Sequence, residues 1–248
     1  VRTHQCALQN ERHSPRVLRP ASRRHALVHR HGIGPTRDDL IERVRDLPQP
    51  RGQLVLINPD GSEGSAFALT DGVTEVGRGV GRLFAGDAYL SPHHATFTFG
   101  PNGFKVRDEH SLNGVYVKLG RDVPVRLNPG DIFRIGQEIL RFEAIPAPTH
   151  VDGVEPMGSP NPGYLGRIVL VVGRDSIGNA FPIASDGMHI GRERGDVVFP
   201  EDGYVSGLHC RIHHDGSSVV LTDVGSSNGS FIRIRWHDLY DVGGEAMK

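Results

Sequence analysis

The 248-residue sequence is short of the features that indicate disulfide scaffolds, membrane spans and helical bundles. Its two cysteines, Cys6 and Cys210, exclude a disulfide framework and a four-ligand zinc site, and favour a reducing, cytoplasmic setting. The longest apolar run, Ile168–Val172, is five residues, whereas a membrane helix needs about 18. The N-terminus also lacks the apolar segment of a signal peptide.

Neither sign of charge dominates, because 28 Lys and Arg face 29 Asp and Glu. This balance gives no overall attraction to nucleic acid or to an anionic membrane. Aromatic residues are scarce at 6%, whereas the chain has 32 glycines and 17 prolines. Such a composition favours an all-β protein, in which many short strands are joined by tight turns.

The first 51 residues differ in character from the remainder. Residues 1–50 contain ten arginines, no lysine and five acidic residues, and no apolar periodicity is visible before about residue 35. We predict a basic, mostly disordered arm with no specific nucleic-acid role. Within it, Thr36 followed by acids and then by apolar residues at helical spacing predicts a short helix over 37–47.

The rest of the chain carries one pattern twice, with matching segments 114 or 115 positions apart. The matching pairs are Ala66-Phe67 with Ala180-Phe181, Gly77-Arg78 with Gly191-Arg192, Asp87–Ser91 with Asp202–Ser206, and Ser111–Gly114 with Ser226–Gly229. A solenoid would repeat every 20 to 50 residues or so, so we predict two domains of one fold. These are a first copy, residues 52–145, and a second copy, residues 166–248, separated by a linker, 146–165, with five prolines.

The second copy ends early. In the first copy, residues 127–142 have the pattern of closing strands, and their counterpart would fall beyond Lys248. We therefore expect the second sandwich to lack its last two strands and to leave an unpaired sheet edge.

Three signals follow one another in each copy: Gly-Arg, then Ser-x-x-His about 14 residues later, then Asp-x-x-Ser-x-Asn-Gly. On these motifs, residues 52–145 and 166–248 resemble the forkhead-associated (FHA) domain family. The resemblance implies two 11-stranded β-sandwiches in tandem, whose loops at one end bind phosphothreonine peptides. It implies no cofactor.

A phosphothreonine carries nearly two negative charges and three acceptor oxygens, so its receptor needs a cation and several short donors. Arginine suits this role because its planar fork can donate two parallel hydrogen bonds. By position, the resemblance implies that the phosphopeptide-binding residues are Arg78, Ser91, Asn113, Arg192, Ser206, Ser227 and Asn228. It implies that the residues that brace the loops are His94, His209, Gly77, Gly114, Gly191 and Gly229.

The two copies match the family unequally. The first has Leu112 where the second has Ser227, and it has Pro92, which lacks an N–H, where the second has Gly207. Losing one hydrogen bond to a charged group costs about 1.5 to 3 kcal/mol. We expect the first site to be poorer in donors, and whether it binds phosphate stays open at this point.

An enzyme is not predicted, because the sequence has no Gly-x-Ser-x-Gly elbow, Ser-x-x-Lys, P-loop or dinucleotide fingerprint. No catalytic residue is assigned. The 14 histidines are scattered, so no metal site is assigned either. Two alternatives remain open: a phosphate-independent interaction scaffold, and a regulatory fragment of a larger signalling enzyme.

The expected partners are phosphothreonine-containing proteins, which places the chain downstream of a Ser/Thr kinase in bacterial-type signalling. Thr36 and Thr149 each begin a Thr-x-x-Asp sequence in a segment predicted to be flexible. One hypothesis is that phosphorylation of either threonine creates an internal or dimerising ligand for Arg78 or Arg192.

Overall fold

The computed structural model describes residues 5–9, 52–57, 63–80, 84–100, 103–147, 150–174, 176–236 and 238–241. These residues form strands, turns and loops, and none of them is helical, so the predicted all-β class is confirmed. Among the residues described, no helix is long and apolar enough to cross a membrane. The predicted helix over 37–47 lies outside the described residues.

Eighteen strands follow one another along the chain. The arm and the first copy contain β1 (Gln5–Gln9), β2 (Gly52–Ile57), β3 (Glu63–Leu69), β4 (Gly72–Val76), β5 (Ala95–Gly100), β6 (Gly103–Asp108), β7 (Tyr116–Lys118), β8 (Val125–Arg126), β9 (Ile132–Ile135) and β10 (Glu138–Glu143). The second copy contains β11 (Gly166–Gly173), β12 (Ser176–Ile183), β13 (Met188–Gly191), β14 (Val197–Val198), β15 (Cys210–His214), β16 (Val219–Asp223), β17 (Ser230–Arg233) and β18 (Tyr240–Asp241).

The chain divides into two compact units. Unit 1 consists of residues 1–74, 97–106 and 241–248, and unit 2 consists of residues 75–96 and 107–240. Every binding or bracing residue predicted from the sequence belongs to unit 2. The domain boundaries inferred from the repeat stay a prediction.

Unit 1 contains a three-stranded antiparallel sheet of order β1-β2-β3. β2 and β3 bury Leu54, Val55 and Leu69. β1 lies in the basic arm, where the lack of apolar periodicity predicted no ordered element, because a five-residue strand is too short to show a reliable period. A further sheet has the order β18-β6-β5-β4.

Unit 2 contains an eleven-stranded β-sandwich. One sheet has the order β12-β11-β10-β9-β17-β7 and the other has the order β14-β13-β15-β16-β8. Apolar side chains alternate along these strands, so that one face of each sheet points into the core. The core includes Phe133, Ile135, Leu140, Ile190 and Ile212, all with 0% exposure. Burying a side chain of this size contributes about 1.5 to 3 kcal/mol.

The closing strands of the first copy complete this sandwich. β10 pairs antiparallel with β11, with Leu140 opposite Leu170, and β9 pairs antiparallel with β17, with Phe133 opposite Ile232. The expectation of an unpaired edge in the second sandwich is therefore wrong. β9 and β10 have buried apolar side chains that need an opposing sheet, while β11 and β17 offer free backbone groups, and pairing satisfies both requirements.

The Pro/Gly-rich segment 146–165 joins β10 to β11, which are neighbours in the six-stranded sheet. Glu143 lies opposite Arg167 across this pair, and their side chains form an ion pair of 2.7 Å. The segment therefore leaves and re-enters the same sandwich. Residues 150–164 are exposed throughout, and a backbone bridge joins Val151 to Val154.

Candidate functional site

A Gly-Arg pair lies at the end of a strand in each copy and contacts the serine loop. The amide of Arg78 donates to the carbonyl of Ser91 at 2.9 Å, and the amide of Arg192 donates to the carbonyl of Ser206 at 2.8 Å. This contact places two predicted phosphate-binding residues side by side. We call Arg78, Ser91 and Asn113 with their turns the first loop set, and Arg192, Ser206 and Asn228 with theirs the second loop set.

Glycine precedes each arginine because another backbone segment passes close by. A Cβ on Gly77 would overlap the carbonyl oxygen of Pro92, and a Cβ on Gly191 would overlap that of Gly207. The obstructing atoms are backbone atoms, which cannot move aside at low cost. These contacts explain why each loop set contains glycine at this position.

A buried histidine connects the serine loop to the asparagine turn in each loop set. The amide of Ser91 donates to Nδ1 of His94 at 3.2 Å, so Nε2 carries the hydrogen that the Gly114 carbonyl accepts at 3.2 Å. His209 makes the same two bonds, from the Ser206 amide at 3.0 Å and to the Gly229 carbonyl at 3.2 Å.

Both histidines are neutral in this arrangement, because a protonated ring has no acceptor nitrogen for the serine amide. Burial lowers the pKa of His94 and of His209, and the bonds to the glycine carbonyls oppose that shift only in part. Each imidazole therefore bonds the serine loop through one ring nitrogen and the asparagine turn through the other, and the bracing role inferred from the resemblance stays a prediction.

The serine hydroxyl of each loop set accepts one hydrogen bond and keeps its own hydrogen. The Oγ of Ser91 accepts from the Leu112 amide at 2.9 Å, and the Oγ of Ser206 accepts from the Ser227 amide at 2.9 Å. Because the Oγ is an acceptor in this contact, its hydrogen is available to donate to an anion.

The asparagines are positioned through their amide groups. The Nδ2 of Asn113 donates to the Tyr89 carbonyl at 2.7 Å, and the Nδ2 of Asn228 donates to the Tyr204 carbonyl at 2.8 Å. A side-chain amide has two donor hydrogens and one acceptor oxygen. Each asparagine thus keeps one donor and its oxygen to bind a peptide backbone.

A buried aspartate anchors each asparagine turn, and the sequence prediction assigned it no role although it opens the Asp-x-x-Ser-x-Asn-Gly motif. Asp108 accepts from the amides of Ser111 at 2.7 Å and Val115 at 3.1 Å. Asp223 accepts from the hydroxyls of Ser226 at 2.6 Å and Ser230 at 2.8 Å. Burial alone would raise the pKa of Asp223, but the hydrogen bonds outweigh burial and lower it.

Comparison with known proteins identifies the family of the chain. The sequence profile of the FHA domain matches residues 74–136 and 188–239. The chain is 32% identical over 117 residues to the glycogen accumulation regulator GarA of Mycobacterium tuberculosis, which covers 47% of this chain and 72% of GarA. The chain belongs to the FHA domain family.

A second relative is the oxoglutarate dehydrogenase inhibitor of Corynebacterium efficiens, which is 35% identical over 100 residues, or 40% of this chain and 70% of the inhibitor. The corresponding inhibitor of Corynebacterium glutamicum is 34% identical over the same length. No solved structure matches the chain.

The two FHA arginines have different electrostatic surroundings. The Nη2 of Arg192 lies 2.7 Å from Oε1 of Glu193, and this contact lowers the pKa of Glu193. The other carboxylate oxygen of Glu193, Oε2, lies near Gly207: a Cβ added to Gly207 would be 3.2 Å from it. Gly79 takes the position of Glu193 in the first copy, and in the described part of the chain no carboxylate pairs with Arg78.

Each loop set also receives a basic side chain from the other copy, which sequence reasoning missed. The side chain of Arg233 lies against Gly114 and donates to the Ser111 carbonyl at 3.0 Å, and Lys118 lies against Gly229. Gly114 and Gly229 have φ of 83° and 87°, and the cations leave no space for a Cβ. Because these pairs arise from β7–β17 pairing, no local sequence signal indicates them.

The turn between β9 and β10 supports the second loop set. The amide of Gln137 donates to Oδ2 of Asp202 at 2.6 Å, and Oδ1 of Asp202 accepts from the Tyr204 amide at 2.9 Å. The same tyrosine carbonyl holds Asn228. A contact across 65 residues of sequence thus links the first copy's closing turn to the second copy's binding turn.

From the sequence we also proposed two internal ligands and assigned no metal site. Thr36 and Thr149, the proposed internal ligands, lie outside the described residues. Within the described ranges, no three His, Cys, Asp or Glu side chains are grouped so that they could hold a metal ion.

Proposed function

We propose that the chain is a phosphothreonine-peptide adaptor that acts downstream of a Ser/Thr kinase and regulates other proteins without catalysing a reaction. The observation that carries the proposal is the backbone bond between the arginine and serine loops, present in both copies. Together with the bond from the asparagine turn to the serine hydroxyl, it brings an arginine, a serine and an asparagine into one loop set, and these residue types match the charge and acceptors of a phosphothreonine.

The serine and histidine contacts support a binding role over catalysis. In Ser91-x-x-His94 the amide of the serine, and not its hydroxyl, bonds the imidazole, and the other ring nitrogen donates to Gly114. A serine nucleophile needs its hydroxyl against a free basic nitrogen. The relatives are named a regulator and an inhibitor, which also favours regulation.

A cytoplasmic location belongs to the same proposal. Its support is the low cysteine content together with Cys210, which is buried and unpaired.

A phosphate-independent scaffold remains the second candidate, for the first loop set alone. Leu112 is 59% exposed and precedes Asn113, and Tyr89, whose carbonyl accepts from Asn113, is 44% exposed. An apolar surface of this kind fits a protein contact that requires no phosphate.

The deciding experiment is a fluorescence-anisotropy titration of the whole chain against a degenerate phosphothreonine peptide pool and its unphosphorylated twin. We expect binding to require phosphate. We expect the affinity to fall by about tenfold or more in at least one of the two variants Arg78→Ala and Arg192→Ala. Arg126→Ala, an exposed arginine on β8 outside both loop sets, is the matched control and should bind as the native chain does. Equal binding of both pools would eliminate the adaptor and leave the scaffold.

A further inference from the structure

A direct strand pair inside unit 2 joins the two loop sets. β7 follows the turn at Asn113, and it pairs antiparallel with β17, which follows the turn at Asn228. Val117 lies opposite Ile232 at the centre of the pair, and these residues occupy the same position in the 115-residue repeat. A local twofold axis therefore passes between Val117 and Ile232.

The backbone bonds that flank this pair obey the same symmetry. The amide of Leu119 donates to the Ser230 carbonyl at 2.8 Å, and the amide of Ile234 donates to the Val115 carbonyl at 2.9 Å. Leu119 corresponds to Ile234 in the repeat, and Val115 corresponds to Ser230. The same backbone hydrogen bond is thus made twice, once with its donor in the first copy and once with its donor in the second copy.

The side chains near the axis follow the same rule. Arg233 covers Gly114, the glycine of the first turn, and Lys118, its counterpart in the repeat, covers Gly229. Each binding turn is therefore held by a cation from the other copy. Because the backbone pair and both cations link the turns, the two loop sets keep a fixed relation to each other.

The register also determines the spacing of the two sites. In an antiparallel pair, turns that precede equivalent strands lie at opposite ends. If the register is continued beyond the paired residues, Asn113 faces position 236, which is eight residues beyond Asn228. At about 3.3 Å per residue, the two asparagines are on the order of 25 Å apart.

We propose that the two loop sets bind two phosphothreonines at once, one from each protomer of a twofold-symmetric homodimeric partner. The inference rests on the phosphothreonine binding proposed above. A twofold dimer presents the same peptide twice, in orientations related by the axis that also relates the two loop sets. A single doubly phosphorylated chain would have to reverse its direction between its phosphothreonines to do the same.

Simultaneous binding also gives the donor-poor first loop set a role. Once the second loop set holds one phosphothreonine, the other is confined near Arg78 at an effective concentration in the millimolar range. A site with weak affinity for a free peptide then contributes to the affinity for the dimer. The two unequal sites thereby act on one symmetric partner.

The test compares one phosphothreonine peptide in several forms, with the full chain as receptor. The peptide is the tightest sequence selected from the pool. It is presented as a monomer, as symmetric pairs joined through their N-termini by flexible spacers of about 15, 30 and 60 Å, and as a linear tandem with two phosphothreonines. Isothermal titration gives the Kd and the stoichiometry of each form. A pair with one unphosphorylated half is the matched control.

We expect a symmetric pair with a spacer of about 30 Å or more to bind one to one and at least about tenfold tighter than the monomer. Arg78→Ala and Arg192→Ala should each remove that gain, and the half-phosphorylated pair should behave as the monomer.

Three outcomes would contradict these expectations. If the symmetric pair binds no more than about twice as tightly as the monomer, which is the statistical factor, the inference is overturned, while phosphate-dependent binding of the monomer still upholds the adaptor. A linear tandem that outperforms every symmetric pair overturns the symmetric partner. No phosphate-dependent binding by the monomer overturns the adaptor and the inference together.

Discussion

Arg78 and Arg192 occupy equivalent positions in the repeat, yet they differ in the hydrogen-bond donors and in the carboxylates around them. The second loop set has the additional hydroxyl of Ser227 and a glycine amide, but Glu193 pairs with its arginine. The first loop set lacks those donors, but Arg78 is exposed, and among the described residues no carboxylate pairs with it. Donor number and cation availability therefore vary independently, and the donor-rich site need not bind more tightly.

The two loop sets also differ in what holds them in place. Asp223 receives hydroxyl bonds from within its own copy, and the β9–β10 turn supports Asp202. Asp108 receives only backbone bonds from its own turn among the contacts described, and Arg233 of the second copy approaches it to 4.0 Å. The first loop set thus depends on a residue more than a hundred positions away.

The largest expected effect breaks both loop sets together. Phe133→Ala removes a side chain with 0% exposure from a strand that pairs with β17, so we expect the free energy of unfolding of unit 2 to fall by about 3 to 5 kcal/mol. Urea denaturation followed by circular dichroism measures the loss. Ile177→Ala, at 52% exposure, should change it by less than about 0.5 kcal/mol. Equal stabilities for the two variants would contradict the placement of Phe133 in the core of unit 2.

The bracing histidines provide the next comparison. His209→Ala leaves the half-buried Ser206 amide and the buried Gly229 carbonyl without partners, which should cost about 2 to 4 kcal/mol of unfolding free energy. His94→Ala should cost less, because His94 is 8% exposed and water can reach its partners, whereas His209 is at 0%. Chemical denaturation of the two variants decides the order. A larger loss in His94→Ala would count against this account of bracing.

Acidification should weaken both braces. The pKa of each histidine is lowered by burial, so below about pH 6.5 the unfolded chain binds more protons and stability falls with pH. The slope is at most about 1.4 kcal/mol per pH unit for each group. Unfolding free energies measured between about pH 7 and pH 5.5 should show this decline, and His94→Gln with His209→Gln should flatten it. An unchanged slope in the double variant would assign the decline to other groups.

Substitutions of Arg233 and Lys118 should affect the two loop sets to different extents. Arg233→Ala removes the bond to the Ser111 carbonyl, so amide exchange in residues 108–116 should accelerate by roughly threefold to tenfold, while residues 223–230 stay unchanged. Lys118→Ala removes packing against Gly229 and the contact of Nζ with the Phe231 ring, 5.9 Å from its centroid, but no described hydrogen bond, and should alter neither segment by more than about twofold. Hydrogen exchange with mass spectrometry reads both segments at once. Equal responses to the two substitutions would remove the proposed asymmetry.

The smallest effect concerns Glu193. Glu193→Gln removes an exposed carboxylate from Arg192, and since exposed ion pairs are weak, the second loop set should gain no more than roughly fivefold in phosphopeptide affinity. Gly79→Glu should place a carboxylate beside Arg78 and lower the affinity of the first loop set by a similar factor. Anisotropy titrations in the Arg78→Ala and Arg192→Ala backgrounds isolate each site. A loss of affinity in Glu193→Gln would show that Glu193 assists binding.

The repeat made much of the site predictable. Gly-Arg, Ser-x-x-His and the Asn-Gly motif each identify a short turn, and their order along the chain indicates that the turns belong to one set of loops. The predicted residues do lie together in both copies. Arg233 and Glu193 escaped prediction for different reasons: Arg233 acts across 122 residues, and the effect of Glu193 depends on where its side chain points.

The closing strands β9 and β10 show what the sequence could not predict, namely which sheet a strand joins. The alternation of Phe133, Ile135, Leu140 and Phe142 indicates two strands that need a sheet, and that much is local. Which sheet they join depends on which edges are free in space, and a sequence pattern contains no information about that. The most natural assumption, pairing within the same copy, left β11 and β17 without the neighbours that β10 and β9 provide in the structure.

The amino-acid sequence by itself determined the all-β class, the twofold repeat and the residues of both loop sets, because strand alternation, turn glycines and motif spacing are local properties of the chain. The tertiary structure alone decided which copy each closing strand completes, which arginine meets a carboxylate and how the two loop sets are related. Those outcomes depend on edge-to-edge hydrogen bonding and side-chain contact between residues far apart in sequence, where several partners of equal local suitability compete and only the packed core selects one.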